Sequence, residues 1–273
     1  MKKIITFTSD FGLRDSYVAQ VKGVLHSMLE SVEIVDLSHD ISPGNVYEAA
    51  RFLEQAIWNF LADSIHLCVV DPGVGGKRRR LVLEANVVDA KSNAEKKMTF
   101  VGPDNGLFSF VAPVAQRISA WEISADFFDK QKRIGTTFEG RDIFGVAAAR
   151  LALGIHKKTI AQEIEPSSLI ELLRPVPHKT DKGFVGQIEY LDRFGNAISN
   201  LKSGEHFQKG DKVSFHEKEL LWVNAYEEIK PETIGVLVNS EGRLELASFN
   251  TKAPNTKPGD RIDVESPPPK EAA

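Results

Sequence analysis

The chain has 273 residues, 42% of them hydrophobic and 26% charged, with a formal net charge of -4 at pH 7. That length allows one large domain or two modest ones with a sizeable core, and the mild acidity lacks the basic footprint of a nucleic-acid binder. No run approaches the roughly 18 apolar residues of a membrane helix, the first residues lead into a strand pattern and not a signal peptide, and a single cysteine, Cys68, allows no internal disulfide, so a cytoplasmic protein is expected.

KIITFTSD reads as a buried strand ending in polar residues. In SYVAQVKGVLHSML, Val18, Val21, Leu25 and Met28 fall near helical spacing and predict an amphipathic helix. VEIVDL is a second strand, and NVYEAARFLEQAIWNF a second helix with Asn45 as N-cap and Glu48 completing a capping-box-like pair. IHLCVV is a third strand. RLVLEANVV and MTFVG are further strands separated by the polar turn KSNAEKK, and RDIFGVAAARLALG reads as a helix closed by Gly154.

Strands alternating with helices predict an α/β domain over residues 1–173 with a largely parallel central sheet. The Pro- and charge-rich stretch 174–183 reads as a linker. Beyond it, GFVGQIEYLD, AISNL, DKVSFH, TIGVLVNS, RLELAS and RIDVES are short strands with turn signals between them, which predicts a small all-β, barrel-like domain over 184–266. Residues 267–273 read as a frayed tail.

Ligands of such α/β sheets gather at the carboxyl ends of strands, and three loops of that kind are chemically rich. VVDPGVGGKRRR ends a strand in Asp71, turns through Pro72 and glycines, and closes on Lys77 to Arg80. It has neither P-loop spacing nor the helix that follows a dinucleotide fingerprint. It is either a tight turn with a solvated basic end, or a device that brings Asp71 and Arg78 together over a ligand, with glycine permitting the close approach. TSDFGLRDS sets Asp10 and Asp15 at a strand-to-helix junction. Either Asp15 or Ser16 caps the next helix, or the acids grip a diol or amine. TTFEGRDIF packs Glu139, Arg141 and Asp142 around Gly140, as acids favourable to a helix N-terminus or as a further carboxylate on the Asp71 rim. In the second domain, Asp192, Phe194 and Asn196 in LDRFGNAISN, and Asn239 and Ser240 in VNSEGR, read locally as hairpin turns. The histidines show no metal-ligand spacing, so no metal is expected, and no Gly-x-Ser-x-Gly elbow is present.

TSDFGLRDSYVAQVKGVL, SHDISP, VVDPGVGGKRR, FVGPDNGLFSF, TFEGRDIF, DRFGNAISNL and VNSEGRLELA together resemble, in order and spacing, the S-adenosylmethionine hydroxide adenosyltransferases, relatives of the S-adenosylmethionine-dependent chlorinase and fluorinase. The resemblance runs from Ile4 to about Val264. It implies an α/β domain followed by a barrel-like one, a homotrimer with ligand sites at subunit interfaces, and displacement of methionine from C5′ of S-adenosylmethionine by water. The small molecule is then substrate, and no cofactor is called for. Carried over by position, Asp10 grips the ribose hydroxyls, and Asp15 and Asp192 hold the methionine ammonium end. Phe194, Asn196 and Ser240 lie against the adenine or amino-acid ends. Asp71 and Arg78 match two members of the Asp-Arg-His set of the hydrolytic branch, which the halogenating branch lacks.

The third member departs from the pattern: Glu139 stands where the family has His, in TFEGRD. Two carboxylates near one Arg can share a proton, so Glu139 acts as a base or repels Asp71. Three functions stay open: hydrolysis of S-adenosylmethionine, a sensor or sink that binds it with degraded catalysis, and halide attack at C5′. A methyltransferase is disfavoured, because no Gly-rich cofactor turn follows the first strand.

Overall fold

The computed structural model describes residues 3–88, 95–111, 115–124, 126–127, 135–249 and 255–265. The expected frayed tail at 267–273 and residues 91–94 of the expected KSNAEKK turn lie outside them. The chain divides into two compact units, Met1–Leu172 and Leu173–Ala273.

In the first unit, β1 (Lys3–Ser9), β2 (Val32–Ser38), β3 (Ile65–Val69), β4 (Arg80–Val88), β5 (Glu95–Pro103), β6 (Ala115–Ile123) and β7 (Ala161–Ile164) form one sheet, in the order β2-β1-β3-β5-β4-β6-β7. The pairs among β2, β1, β3 and β5 are parallel, whereas β4 runs antiparallel to β5 and β6, and β7 antiparallel to β6. The sheet is therefore mixed, which corrects the expectation of a largely parallel one. A parallel neighbour needs a crossover of a dozen or more residues, and only residues 89–94 separate β4 from β5. β6 and β7 are additional to the strands expected from the sequence: AQRISAWEI lacks a clean alternation, and AQEI is four residues long.

Helices cover both faces. α1 (Tyr17–Met28) buries Val18, Val21 and Leu25, the apolar stripe seen in the sequence. It joins α3 (Val146–Ala152) over Ile5, Phe7, Leu67, Val82 and Trp121. α2 (Val46–Ala56) packs Ala49 and Leu53 on the other face, against Cys68, Leu81, Leu83 and Phe100. The two-residue period of β4 divides Val82 from Leu81 and Leu83, one to each face. Asn45 caps α2 by accepting the Glu48 amide at 3.1 Å, while Glu48 reaches back to Asn45 Nδ2 and the Ser42 amide, both at 3.2 Å. The helix expected over RDIFGVAAARLALG opens with a π-helical turn, Gly140–Gly145, before α3 begins. Its end is a Schellman motif: Gly154, at φ +79°, donates to Leu151 O, and Ile155 donates to Arg150 O.

The second unit is a seven-stranded barrel. β9 (Gly183–Leu191), β10 (Ala197–Lys202), β14 (Arg243–Ala247), β13 (Gly235–Val238), β12 (Lys218–Trp222), β11 (Lys212–Phe215) and β15 (Arg261–Glu265) follow one another, and β15 returns to β9. The short β8 (His178–Lys179) adds to β9 outside the ring. Alternate residues point inward, as Ile262 and Val264 do on β15, and meet Ile188, Val213, Phe215, Leu244 and Leu246 in the interior.

Candidate active site

β1 and β3 are parallel neighbours that end level, with Ser9 opposite Val69. The loops that follow, carrying Asp10 and Asp71, therefore leave the same edge of the sheet. Because β4 is antiparallel, it starts at this edge, with Arg80 opposite Pro103 at the end of β5. The turn between β3 and β4 thus begins and finishes in one place. Within it the Val74 amide donates to Asp71 O and the Gly76 amide to Gly73 O, at 3.2 and 3.0 Å. Gly75 takes φ +76°, and a Cβ there would lie 3.0 Å from Thr136 O. Glycine is required on both counts.

The cations after the turn are sorted by strand alternation. Arg78 and Arg80 point one way, toward Asp71 and Glu139; Arg79 points the other, donating to Asp104 at 2.7 Å and to Ser168 Oγ at 2.8 Å. Side chains two residues apart share a face of an extended chain. The arginines are therefore partnered, not a solvated basic end.

Arg78 Nε donates to both Asp71 oxygens at 3.0 Å, and Nη2 donates to Asp71 Oδ2 and to Glu139 Oε2. Arg80 Nε donates to Glu139 Oε2 at 2.9 Å, with Nη2 on Oε1. The result is a line of alternating charge: Asp71, Arg78, Glu139, Arg80. The side chains of Asp71 and Glu139 are 4% and 1% exposed. Burial opposes the charge on Arg78, but its hydrogen bonds to Asp71 and Glu139 outweigh burial and hold its pKa above the usual guanidinium value. Among the described residues Arg78 Nη1 is buried and has no hydrogen-bond partner, and the guanidinium carbon lies 5.4 Å from the Phe144 ring centroid.

Neighbouring loops hold this edge. Asp10 Oδ2 accepts the Gly44 amide at 2.8 Å. Ser9 Oγ meets His39 Nδ1 at 2.7 Å, and the Gly12 amide donates to His39 O at 2.8 Å. Asn105 Nδ2 donates to Val70 O at 2.9 Å, directly before Asp71. Gly140 presses on the opposite side, where a Cβ would lie 3.1 Å from Phe11 and 3.2 Å from Val69. Phe11, Tyr17 and Phe138 cluster beside it, with centroids 5.2 to 6.0 Å apart. His39, Asn105 and Arg80 carry no assigned role in the sequence reading; the first two sit in SHDISP and FVGPDNGLFSF, and Arg80 directly follows the RR of VVDPGVGGKRR.

The structure brings Asp71, Arg78 and Glu139 together at one point, with Asp10 on the adjoining loop. Asp15 is exposed, and Ser16, the N-cap of α1, makes no side-chain cap bond. Arg141 and Asp142 pair with each other, at 2.6 and 3.0 Å, and Arg141 also donates to Gln20 Oε1 at 2.8 Å.

In the barrel, Asp192 Oδ1 accepts the amides of Phe194 and Asn196 at 2.9 and 2.8 Å, and Oδ2 accepts Asn196 Nδ2 at 3.1 Å. This builds the turn in which Gly195 takes φ +87°. Phe194 projects from it, 79% exposed. Asn239 Oδ1 forms the matching turn by accepting the amides of Glu241 and Arg243, and Ser240 is exposed at its tip. Beside Asp192, Glu245 accepts the Tyr226 hydroxyl at 2.9 Å. Burial, with the charges of Asp192 and Glu241, raises the Glu245 pKa against the Tyr226 bond that lowers it. Burial, together with Glu245, pushes Tyr226 up to about 12.

Residues 5–161 match the SAM hydroxide adenosyltransferase N-terminal domain, and residues 186–261 match the C-terminal domain of the same family. The chain belongs to the SAM hydroxide adenosyltransferase family. An (R)-S-adenosyl-L-methionine hydrolase of Salinispora tropica is 33% identical over 266 residues, covering 95% of this chain and 97% of that protein. A protein of the same name from Methanocaldococcus jannaschii is 31% identical, covering 95% and 94%. A fluorinase of Actinoplanes is more distant, at 27% identity over 72% of this chain and 71% of its own. The crystal structure of an uncharacterised conserved protein from Thermotoga maritima superposes with a TM-score of 0.81 at 29% identity, covering 96% of this chain and 100% of that one. Among the described residues no helix is long and apolar enough to cross a membrane.

Proposed function

We propose that this family member hydrolyses S-adenosyl-L-methionine at C5′, giving adenosine and L-methionine. The substrate class comes from the relatives named hydrolases. The observation that carries the reaction is the buried Asp71 carboxylate, held in place by Arg78 Nε and Nη2. A water placed against the Asp71 carboxylate donates a hydrogen bond to it, which leaves a lone pair for C5′.

The chemistry asks little else. As the water oxygen bonds to C5′, the C5′–S bond breaks with its electron pair going to sulfur, and the sulfonium leaves as a neutral thioether. No acid is needed. The water proton passes to Asp71, a general base worth about 10² or more in rate. Holding one water in line opposite sulfur supplies several kcal/mol more. Glu139 is less suited to accept the proton, since it is held by two guanidinium groups, those of Arg78 and Arg80, where Asp71 is held by Arg78. Its part is to hold Arg78 from the far side.

The remaining site residues follow the resemblance: Asp10 for the ribose hydroxyls, Asp15 and Asp192 for the methionine ammonium end, and Phe194, Asn196 and Ser240 for the adenine or amino-acid ends. The substrate itself is the only small molecule required. A homotrimer, with the barrel of one subunit completing the site on the next, accounts for site residues in both units. Light scattering tests it.

The decisive assay incubates purified protein with S-adenosylmethionine in ¹⁸O-labelled water. Adenosine and methionine should appear in equal amounts, with the label in the 5′-hydroxyl. Saturated binding without product would establish the sensor or sink reading instead. A 5′-chloronucleoside formed at high chloride would establish halide attack.

A further inference from the structure

Arg80 opens β4 two residues after Arg78, and both side chains reach Glu139. It meets Glu139 as a two-pronged fork, Nε on Oε2 and Nη2 on Oε1, with its own side chain 14% exposed. Such fork-to-carboxylate pairs fix orientation as well as charge. Without Arg80, Glu139 would lose the fork that engages both of its oxygens, while still bonded to the Arg78 nitrogen that also serves Asp71. Glu139 would then draw Arg78 away from Asp71.

We infer that Arg80 is a positioning residue that clamps Glu139 and so holds Arg78 against Asp71 in a charge-balanced row. The inference rests on the hydrolytic reading of the site and adds to it. It explains how a carboxylate stands where the resemblance calls for His: Glu139 and Arg80 act as a pair, and the pair takes the place of one neutral ring. Arg80 bonds Glu139 directly, and Glu139 bonds Arg78, so the effect of Arg80 passes through Glu139.

The test measures kcat and KM for S-adenosylmethionine across pH in the wild type, Arg80→Ala, Arg80→Lys and Arg80→Ala/Glu139→Gln, with circular dichroism to confirm folding. Arg80→Ala should lower kcat about tenfold or more, as small misplacements of reacting groups do, and leave KM within about twofold. Its acid limb of kcat should move to higher pH, because an unbalanced carboxylate beside Asp71 favours protonation of the pair. Adding Glu139→Gln should move the limb back. Arg80→Lys, a point charge without the fork, should keep the limb in place but lose rate. It serves as the test if Arg80→Ala fails to fold. An unchanged kcat and acid limb in Arg80→Ala, or an unchanged kcat in Arg80→Lys, overturns the inference. Should the wild type release no adenosine, the hydrolytic reading falls on that result alone. Crystal structures of wild type and Arg80→Ala then decide the clamp: Arg78 leaving Asp71 supports it, and Arg78 unmoved overturns it.

Discussion

Arg78 grips Asp71 through two nitrogens: Nε lies 3.0 Å from each carboxylate oxygen, and Nη2 donates to Oδ2 as well. The seven-residue separation is closed by a turn that leaves and returns to one edge of the sheet. This pair is the centre of the proposed chemistry. Asp71→Ala should lower kcat about 10²-fold while calorimetry still detects substrate binding. Undiminished turnover would remove Asp71 from the mechanism.

The turn depends on glycine at one position more than another. Gly75 has φ +76°, and an added Cβ would meet the Thr136 carbonyl oxygen at 3.0 Å. Gly73→Ala meets only ordinary contacts, 3.6 Å to Arg78 Cγ and 3.8 Å to Asp71 Oδ1. Gly75→Ala should therefore cost about 1–2 kcal/mol from the left-handed backbone alone, and Gly73→Ala less. Urea denaturation midpoints of the two variants make the comparison, and equal midpoints would contradict the strain argument.

Replacing Glu139 by the family's His removes an acid that two arginines share. Breaking a buried ion pair from one side costs about 3–5 kcal/mol. Glu139→His should therefore lower both the denaturation midpoint and kcat, and the stability loss should grow below about pH 6.5, where His adds a third cation. A faster enzyme would show that the carboxylate is a handicap in this background.

His66 supplies a pH dependence independent of the site. It is buried, stacked on Phe100 at 4.9 Å, and meets Thr6 Oγ1 at 2.8 Å. Burial pushes its pKa down from 6.5 to about 3. Between those values the unfolded chain binds a proton that the folded chain does not. Stability therefore falls as pH drops through the window, by about 1.4 kcal/mol per pH unit for one proton. His66→Phe keeps the stacking and removes the titration. Its stability should decline more shallowly from pH 6.5 toward 3, and a parallel decline would assign the acid sensitivity elsewhere.

Local chemistry made much of this legible. The stripe of Val18, Val21 and Leu25, the Asn45 cap, the Gly154 helix end and the turn around Gly195 depend on neighbours within a few residues, and each stands in the structure as read. The short barrel strands were also recognisable, although β12 and the appended β8 were not among them. Strand direction was not legible. A two-residue alternation looks the same in parallel and antiparallel neighbours, so the antiparallel placement of β4 was hidden in RLVLEANVV. The same blindness applies to Lys77 to Arg80, where a run of cations reads as a solvated surface until its partners are known.

By itself, then, the sequence determined the residue types and the turn: an acid, a proline, glycines and arginines at set intervals, in motifs ordered as in the family to which the chain belongs. Only the tertiary structure decided which arginine meets which acid. Glu139 lies 61 residues from Arg78 and 59 from Arg80, and a charge so remote in sequence becomes a partner only when sheet order and helix packing bring it to the same edge.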